Sequence, residues 1–473
     1  MSLPPRILLS PPDVGKAERD SLLNAFDTNW ISTAGPAIEE FEASMASLIG
    51  RPCVAVASGT SGLHLALRLA GVSAGDVVLC QTFTFAASAN PILYERAEPW
   101  FLDSERRTWN LDANALEDAI RALARVGRRP RALIAVHLYG MPAEIHSIRD
   151  LCDRHGVALI EDAAESLGST VTAEVGGRSR ASGQEVPPRG GTAQERTRQT
   201  GCFGLAGIFS FNGNKIITTA GGGMIAVDSV AEAARLRKWS TQSREPAAHY
   251  EHAELGYNYR LSNVLAALGC AQLASLPDKI LRRREIFQRY REALGGFTGL
   301  EFQPEAKGSR SNRWLTALYL DPNEWGNCRD ALIARLAARG IESRPLWKPM
   351  HRQPLYLNSR HFGSPLSEAL FAGGICLPSG SSLREEEQQE ICREISGFLR
   401  ETTSCDRSRA GHLPMSDQKE SPNRRGDSSL HTRAILSNPT VARPTGNPVG
   451  ENRQNHFEHA PGGATPWTVS ANS

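Results

Sequence analysis

The sequence predicts an α/β protein: a first portion built on a mostly parallel sheet, then a smaller C-terminal α+β portion. Two observations carry this reading. From about residue 10 to residue 270, apolar strand-like runs alternate with helical patterns, the rhythm of crossovers that return to one sheet. Past Pro277 that rhythm breaks into a long charged helix and more varied elements. In order, Cys53 to Ala57 reads as a strand, and after Ser58-Gly59-Thr60-Ser61-Gly62 the residues Leu63, Ala66, Leu67 and Ala70 fall at helical spacing. Ala132 to Leu138 is a second buried strand, and Val157 to Ile160 a third that ends at Glu161-Asp162. The helical stretch Ile145 to His155 joins them as a crossover requires. Lys279 to Leu294 is the charged helix, Trp314 to Leu320 a strand, and Arg329 to Ala338 and Leu383 to Arg400 two further helices.

These patterns set expected boundaries at 1–275, 276–400 and 401–473. Glu174 to Arg198 is rich in Gly, Arg, Ser and Pro and nearly lacks large apolar residues. Such a stretch cannot bury enough surface to offset its ordering entropy, so it is expected to be a mobile surface excursion. The residues from about 401 to 473 lack apolar periodicity in the same way and are expected to form a disordered tail.

Composition narrows the function. The 473 residues carry 53 Lys+Arg against 51 Asp+Glu, a formal charge of +2. That balance argues against a dedicated nucleic-acid or anionic-membrane binder. The start of the chain has no secretory pattern and no apolar run approaches the ~20 residues of a membrane span, so a cytoplasmic protein is expected. The nine cysteines are scattered without Cys-x-x-Cys pairs or zinc-ligand spacing, and neither a disulfide framework nor a metal is expected.

Three features carry chemistry. The loop Ser58-Gly59-Thr60-Ser61-Gly62 presents N–H groups and hydroxyls at a helix N-terminus, which suits a phosphate, although taken alone it reads more readily as an ordinary capped turn. It matches neither the dinucleotide-binding glycine pattern nor a P-loop. Asp162 stands at the carboxyl edge of the sheet, where α/β folds place ligands, and can pair with a protonated ring nitrogen or cap the turn Ala163-Ala164. Glu165 reads as a solvated residue of that turn. Lys215 has no charged neighbour in sequence, and its apolar and glycine-rich flanks favour the neutral amine that attacks a carbonyl; a lysine snorkelling from a loop is the plainer alternative. A phosphate loop, a carboxylate for a pyridinium and an isolated lysine are together the parts that pyridoxal phosphate demands.

Those parts sit in longer strings. Ser58-Gly59-Thr60, Thr84 to Asn90, Glu161 to Gly168, Phe209 to Lys215 and Gly256 to Asn263 together resemble the DegT/DnrJ/EryC1/StrS family of pyridoxal-phosphate-dependent nucleotide-sugar aminotransferases, over about residues 7 to 400. Trp30-Ile31, His249 to His252 and Trp347 to His351 are similar to its exopolysaccharide and bacillosamine-type branch. The resemblance implies fold type I and an obligate homodimer with shared active sites. It implies that Lys215 holds the cofactor covalently and later carries a proton, that Asp162 pairs with the pyridine nitrogen, and that Phe85 stacks on the ring. Gly59, Thr60, Ser61 and Ser210 would bind the phosphate, with Asn258 donated by the other subunit. Trp30, Thr33, Tyr257, Arg260, Trp347, Lys348 and His351 would hold the nucleotide sugar.

Two departures stand out. Glu165 replaces the glutamine that family members often carry beside the phenolic oxygen of the cofactor; a carboxylate serves there only if protonated or through water. The excursion Glu174–Arg198 is longer than the usual link. The implied reaction is amino transfer from an amino acid, with L-glutamate the expected donor, to a 4-keto-6-deoxy nucleotide sugar, with a UDP-linked N-acetylhexosamine expected; no stretch reads the base or the keto position, so a GDP- or dTDP-linked sugar and amination at C3 stay open. The rival reading is a non-catalytic regulator or scaffold that keeps the fold.

Overall fold

The structure, a computed structural model, describes residues 6–173 and 196–410, with side chains to residue 402. Its centre is an eight-stranded sheet. The strand order is Cys53–Val56, Gly223–Val227, Ala206–Ser210, Ala158–Asp162, Pro130–Val136, Val77–Gln81, Glu98–Leu102 and His361–Phe362. Every pairing is parallel except the two made by Gly223–Val227. The apolar runs are continuous because both faces are covered: Leu133 and Ala135 enter one buried cluster while Ala132 and Ile134 enter another.

The antiparallel strand has a positional consequence. Residues 211–222 link two neighbouring strands that run in opposite directions, so the segment holding Lys215 is a return loop at the carboxyl end of Ala206–Ser210. Ile208 there pairs with Asp162. The lysine loop and the aspartate are therefore brought to the same sheet edge by register alone.

A second, four-stranded antiparallel sheet consists of Leu300–Phe302, Thr316–Leu320, Gly374–Leu377 and Arg344–Pro345. Its core includes Ile286, Tyr290 and Leu294 from the helix Leu276–Leu294 and Ile391, Ile395 and Leu399 from the last helix. The C-terminal part also reaches back. Trp314, Leu346, Leu370 and Cys376 join the cluster on one face of the main sheet, and His361–Phe362 is that sheet's edge strand.

Two expectations change. Arg196–Gln199 pairs with Thr170–Ala173, which pairs in turn with Ser309–Arg310. Arg196, Thr197 and Arg198 thus form a strand, because its backbone finds a partner that an apolar pattern does not reveal; residues 174–195 of the expected excursion lie outside the described residues. The last helix, Glu385–Ala410, runs past the expected tail boundary at 401, and residues 411–473 lie outside the described ones. No single helix among the described residues is long and apolar enough to cross a membrane, and no group of three His, Cys, Asp or Glu among them could hold a metal.

One buried carboxylate locks the site's strand. Glu161, fully buried, meets His137 Nε2 at 3.1 Å and accepts N–H bonds from Gly201 at 2.8 Å, Phe203 at 2.5 Å and Gly204 at 2.7 Å. Burial pushes its pKa up, but the His137 contact and the N–H donors outweigh it and hold the carboxyl below the usual glutamate range. A depressed folded-state value means that the stabilisation is complete at neutral pH and is lost as pH falls through that value. Glu161→Ala leaves these donors buried without an acceptor and should cost about 3–5 kcal/mol, read from urea unfolding at pH 7. The gap between variant and parent should narrow in acid.

Candidate active site

Ser58 caps the helix Gly59–Leu69, and its hydroxyl accepts the Ser61 N–H at 3.0 Å. Ser61 answers with its own hydroxyl, which donates to the Ser58 carbonyl at 2.8 Å and lies 3.0 Å from the Ser58 N–H. The capped-turn reading therefore holds for this pair, and the Ser61 N–H and hydroxyl are both engaged with Ser58. The first N–H groups of a helix have no intrahelical acceptor, so those of Gly59 and Thr60 face outward at the positive end of the dipole. Gly59 packs on Ser210, where an added Cβ would come within 3.1 Å of the serine Cβ. Gly59, Thr60 and Ser210 thus make one polar rim.

Asp162 ends its strand nearly buried. Ser88 donates to its Oδ2 at 2.6 Å, and the Ser88 hydroxyl lies 2.7 Å from that of Thr84. The Ala164 N–H reaches Oδ1 at 3.1 Å. The carboxylate does cap the following turn, but it is also fixed by a buried hydroxyl pair, which is more than a cap requires.

Glu165 overturns its expectation. It is 6% exposed rather than solvated, because Tyr139 and Lys215 recruit it inward: Oε2 accepts the Tyr139 N–H at 2.6 Å and Oε1 lies 3.6 Å from Lys215 Nζ. Lys215 rests on the Trp314 ring, 4.0 Å from its centre. Its loop is anchored by the Asn214 carbonyl, which accepts from Ser10 Oγ and Trp314 Nε1, both at 2.8 Å.

The apolar wall is Phe85, Trp347 and Tyr139. Phe85 is 58% exposed, with ring centres 5.9 Å from Trp347, and Trp347 lies 5.5 Å from Tyr139. The Trp347 N–H donates to the Tyr139 hydroxyl at 2.9 Å, while the indole Nε1 is buried without a partner among the described residues. An uncovered phenyl ring and an orphaned indole N–H fit a flat, hydrogen-bonding ring system, and the rim of Gly59, Thr60 and Ser210 fits its phosphate. Tyr139 and Ser88 escaped sequence reading. Tyr139 holds a left-handed φ of 55°, which nothing in its residue type announces, and Ser88 is one small residue within an apolar helix.

The remaining candidates divide. Asn258 is exposed and bridges backbone to backbone with Thr241. Tyr257 stacks on Tyr259 with ring centres 4.9 Å apart. Trp30, Thr33 and Lys348 are exposed. Arg260 is instead engaged within the chain, with Nη1 bonded to Glu42 and to the Ala55 carbonyl at 3.1 Å. Both ring nitrogens of His351 are also engaged, Nδ1 with Thr82 at 2.7 Å and Nε2 with Glu368 at 3.0 Å. Arg260 and His351 thus hold their own loops, and the structure does not bring them to the site as free ligands.

The DegT/DnrJ/EryC1/StrS aminotransferase family model matches residues 12–396. The chain belongs to this aminotransferase family. EpsN of Bacillus subtilis (strain 168), named as a pyridoxal phosphate-dependent aminotransferase, is 47% identical over 391 residues, 82% of this chain and 94% of that protein. The GDP-perosamine synthase of Caulobacter vibrioides is 35% identical over 401 residues, covering 84% of this chain and all of that one. Among solved structures, the aminotransferase TlmJ from Streptoalloteichus hindustanus superposes with a TM-score of 0.73 at 28% identity, covering 84% of this chain and 100% of its own. The aminotransferase has the fold type I architecture, and its cofactor is pyridoxal phosphate.

Proposed function

We propose that this aminotransferase moves an amino group from L-glutamate to C4 of a 4-keto-6-deoxy nucleotide sugar, a UDP-linked N-acetylhexosamine, for polysaccharide or glycan assembly. The observation that carries the reading is the placement of Lys215 beside Glu165 at the sheet edge where Asp162 ends its strand. Pyridoxal phosphate, when bound, supplies a ring that draws in the electron pair released at the substrate carbon. Lys215 would hold it and would move the proton at the substrate carbon. Asp162, oriented by Ser88, keeps the ring nitrogen protonated. Phe85 covers one face, and Gly59, Thr60 and Ser210 hold the phosphate together with Asn258 from the second subunit of a homodimer. Trp30, Thr33, Tyr257, Trp347 and Lys348 line the path of the nucleotide sugar. The enzyme works in the cytoplasm.

The regulator reading loses its support, since the lysine, the aspartate and the phosphate rim are all present in a matched set. A GDP-linked acceptor is the second reading, favoured by the similarity to GDP-perosamine synthases of 33% and 35% identity. The test is direct. The visible band of the purified protein should bleach on addition of L-glutamate, and return when UDP- or GDP-linked 4-keto-6-deoxy sugars are supplied. Mass spectrometry of the product identifies the nucleotide. A band that no amino acid bleaches would overturn the proposal.

A further inference from the structure

The Lys215 ammonium meets two neighbours. Its Nζ lies 3.6 Å from Glu165 Oε1 and 4.0 Å from the centre of the Trp314 ring, and the side chains of Lys215 and Glu165 are 13% and 6% exposed. The second oxygen of Glu165 is fixed by the Tyr139 N–H, so Oε1 is the one left toward the lysine. The titratable groups that face Glu165 are Lys215, Asp162, the Tyr139 phenol and the Cys376 thiol. Of these, the lysine is the group whose N–H faces Oε1; burial pushes both the phenol and the thiol well above their ordinary values, and Asp162 is engaged by Ser88.

We propose that Glu165 is the proton acceptor that gives Lys215 its free amine. A proton leaves Nζ and joins Glu165 Oε1; one N–H bond breaks, one O–H bond forms, and the nitrogen keeps the electron pair with which it attacks a carbonyl carbon. The pair carries no net charge before or after, so the transfer exports no charge from a buried site, where a lone ion is costly. Burial raises the pKa of Glu165, partly offset by Lys215 and the Tyr139 N–H and reinforced by Asp162, which makes the neutral acid accessible. When the amine is released during turnover, the same oxygen returns the proton.

The inference rests on Lys215 as the attachment lysine and is independent of donor and sugar. Its test therefore uses apo protein with pyridoxal phosphate and cyanoborohydride, counting the trapped Lys215 adduct by peptide mass against time at pH 7. Glu165→Gln keeps the shape and the acceptor for Tyr139 but takes no proton, and capture should slow about a hundredfold. Glu165→Asp retains a proton acceptor and should stay within about tenfold of the parent. Formate should restore capture in Glu165→Ala in proportion to its concentration. Thermal unfolding of each variant checks that it is folded. If Glu165 merely stabilised the ammonium, Glu165→Gln would capture faster. That result, an unchanged rate, equal losses in Gln and Asp, or no formate rescue would each overturn the proposal. Trapping at Lys215 with no turnover on any sugar would leave it standing while sinking the substrate assignment.

Discussion

Replacing Lys215 with alanine should lower turnover by about four orders of magnitude and leave the fold intact. The fold should survive because the lysine loop is held by its backbone. The Phe211 N–H donates to the Gly222 carbonyl at 2.9 Å, the Thr219 N–H to the Phe211 carbonyl at 2.9 Å, and Trp314 and Ser10 bind the Asn214 carbonyl. None of these bonds involves the lysine side chain. Turnover should collapse because the variant has no amine at the sheet edge to attach the cofactor or move the proton. Far-ultraviolet dichroism and thermal melting measure the first half of the expectation, and kcat the second; a variant retaining full activity would refute the assignment. The same variant also tests the shared site. Asn258 is exposed and has its backbone tied to Thr241, so its side chain points to no partner of its own chain in the hydrogen-bond pattern of the described residues. Mixed dimers of Lys215→Ala with Asn258→Ala should regain about one working site in two if the asparagine acts across the interface. They should regain none if it acts within its own subunit.

Asp162→Asn should cost about 10²–10³ in kcat, with much smaller effect on stability. The substitution preserves shape; its single oxygen can accept the Ala164 N–H, bonded at 3.1 Å in the parent, while its NH2 faces Ser88, whose hydroxyl must turn from donor to acceptor in place of the 2.6 Å bond. What goes is the negative charge that a protonated ring nitrogen needs beside it. The loss should therefore appear as a changed visible spectrum and a slow glutamate half-reaction, not as unfolding. A thousandfold loss with an unchanged spectrum would point to a positional defect and against the proposed partnership.

The helices Ile145–His155 and Arg329–Ala338 end where their patterns predict, because each buries one apolar stripe against a single surface. Strand direction was not legible in the same way: Gly223–Val227 is apolar throughout, and an apolar run looks alike whether it runs with or against its neighbours. His361–Phe362 is only two residues, too short for any period. The sheet-edge position of Asp162 was legible because it follows an apolar strand, and Lys215 stood out as an isolated lysine between apolar and glycine-rich stretches. The engagement of Arg260 and His351 within the chain was not legible, for a physical reason. Their partners Glu42 and Thr82 lie 218 and 269 residues away in sequence, so the satisfaction of their charges and ring nitrogens is a tertiary fact. The burial of Glu165, against the expectation of a solvated turn residue, was hidden in the same way, since the groups that draw it inward, Tyr139 and Lys215, lie on other strands' loops.

The graft of the C-terminal part onto the main sheet bears on how substrates enter. The Phe101 and Asp103 N–H groups bind the Arg360 and Phe362 carbonyls at 2.8 Å, Asp103 also holds His361 at 2.8 Å and the Ser367 N–H at 2.9 Å, and the Met350 N–H binds the Thr82 carbonyl at 2.8 Å. A clamshell motion about residue 275 would tear all of these at once and expose the core shared by Trp314, Leu346 and Cys376. The body of the enzyme is thus a rigid frame under bending. Any motion that admits a substrate must therefore come from exposed segments that are not part of this graft, rather than from the two parts swinging apart.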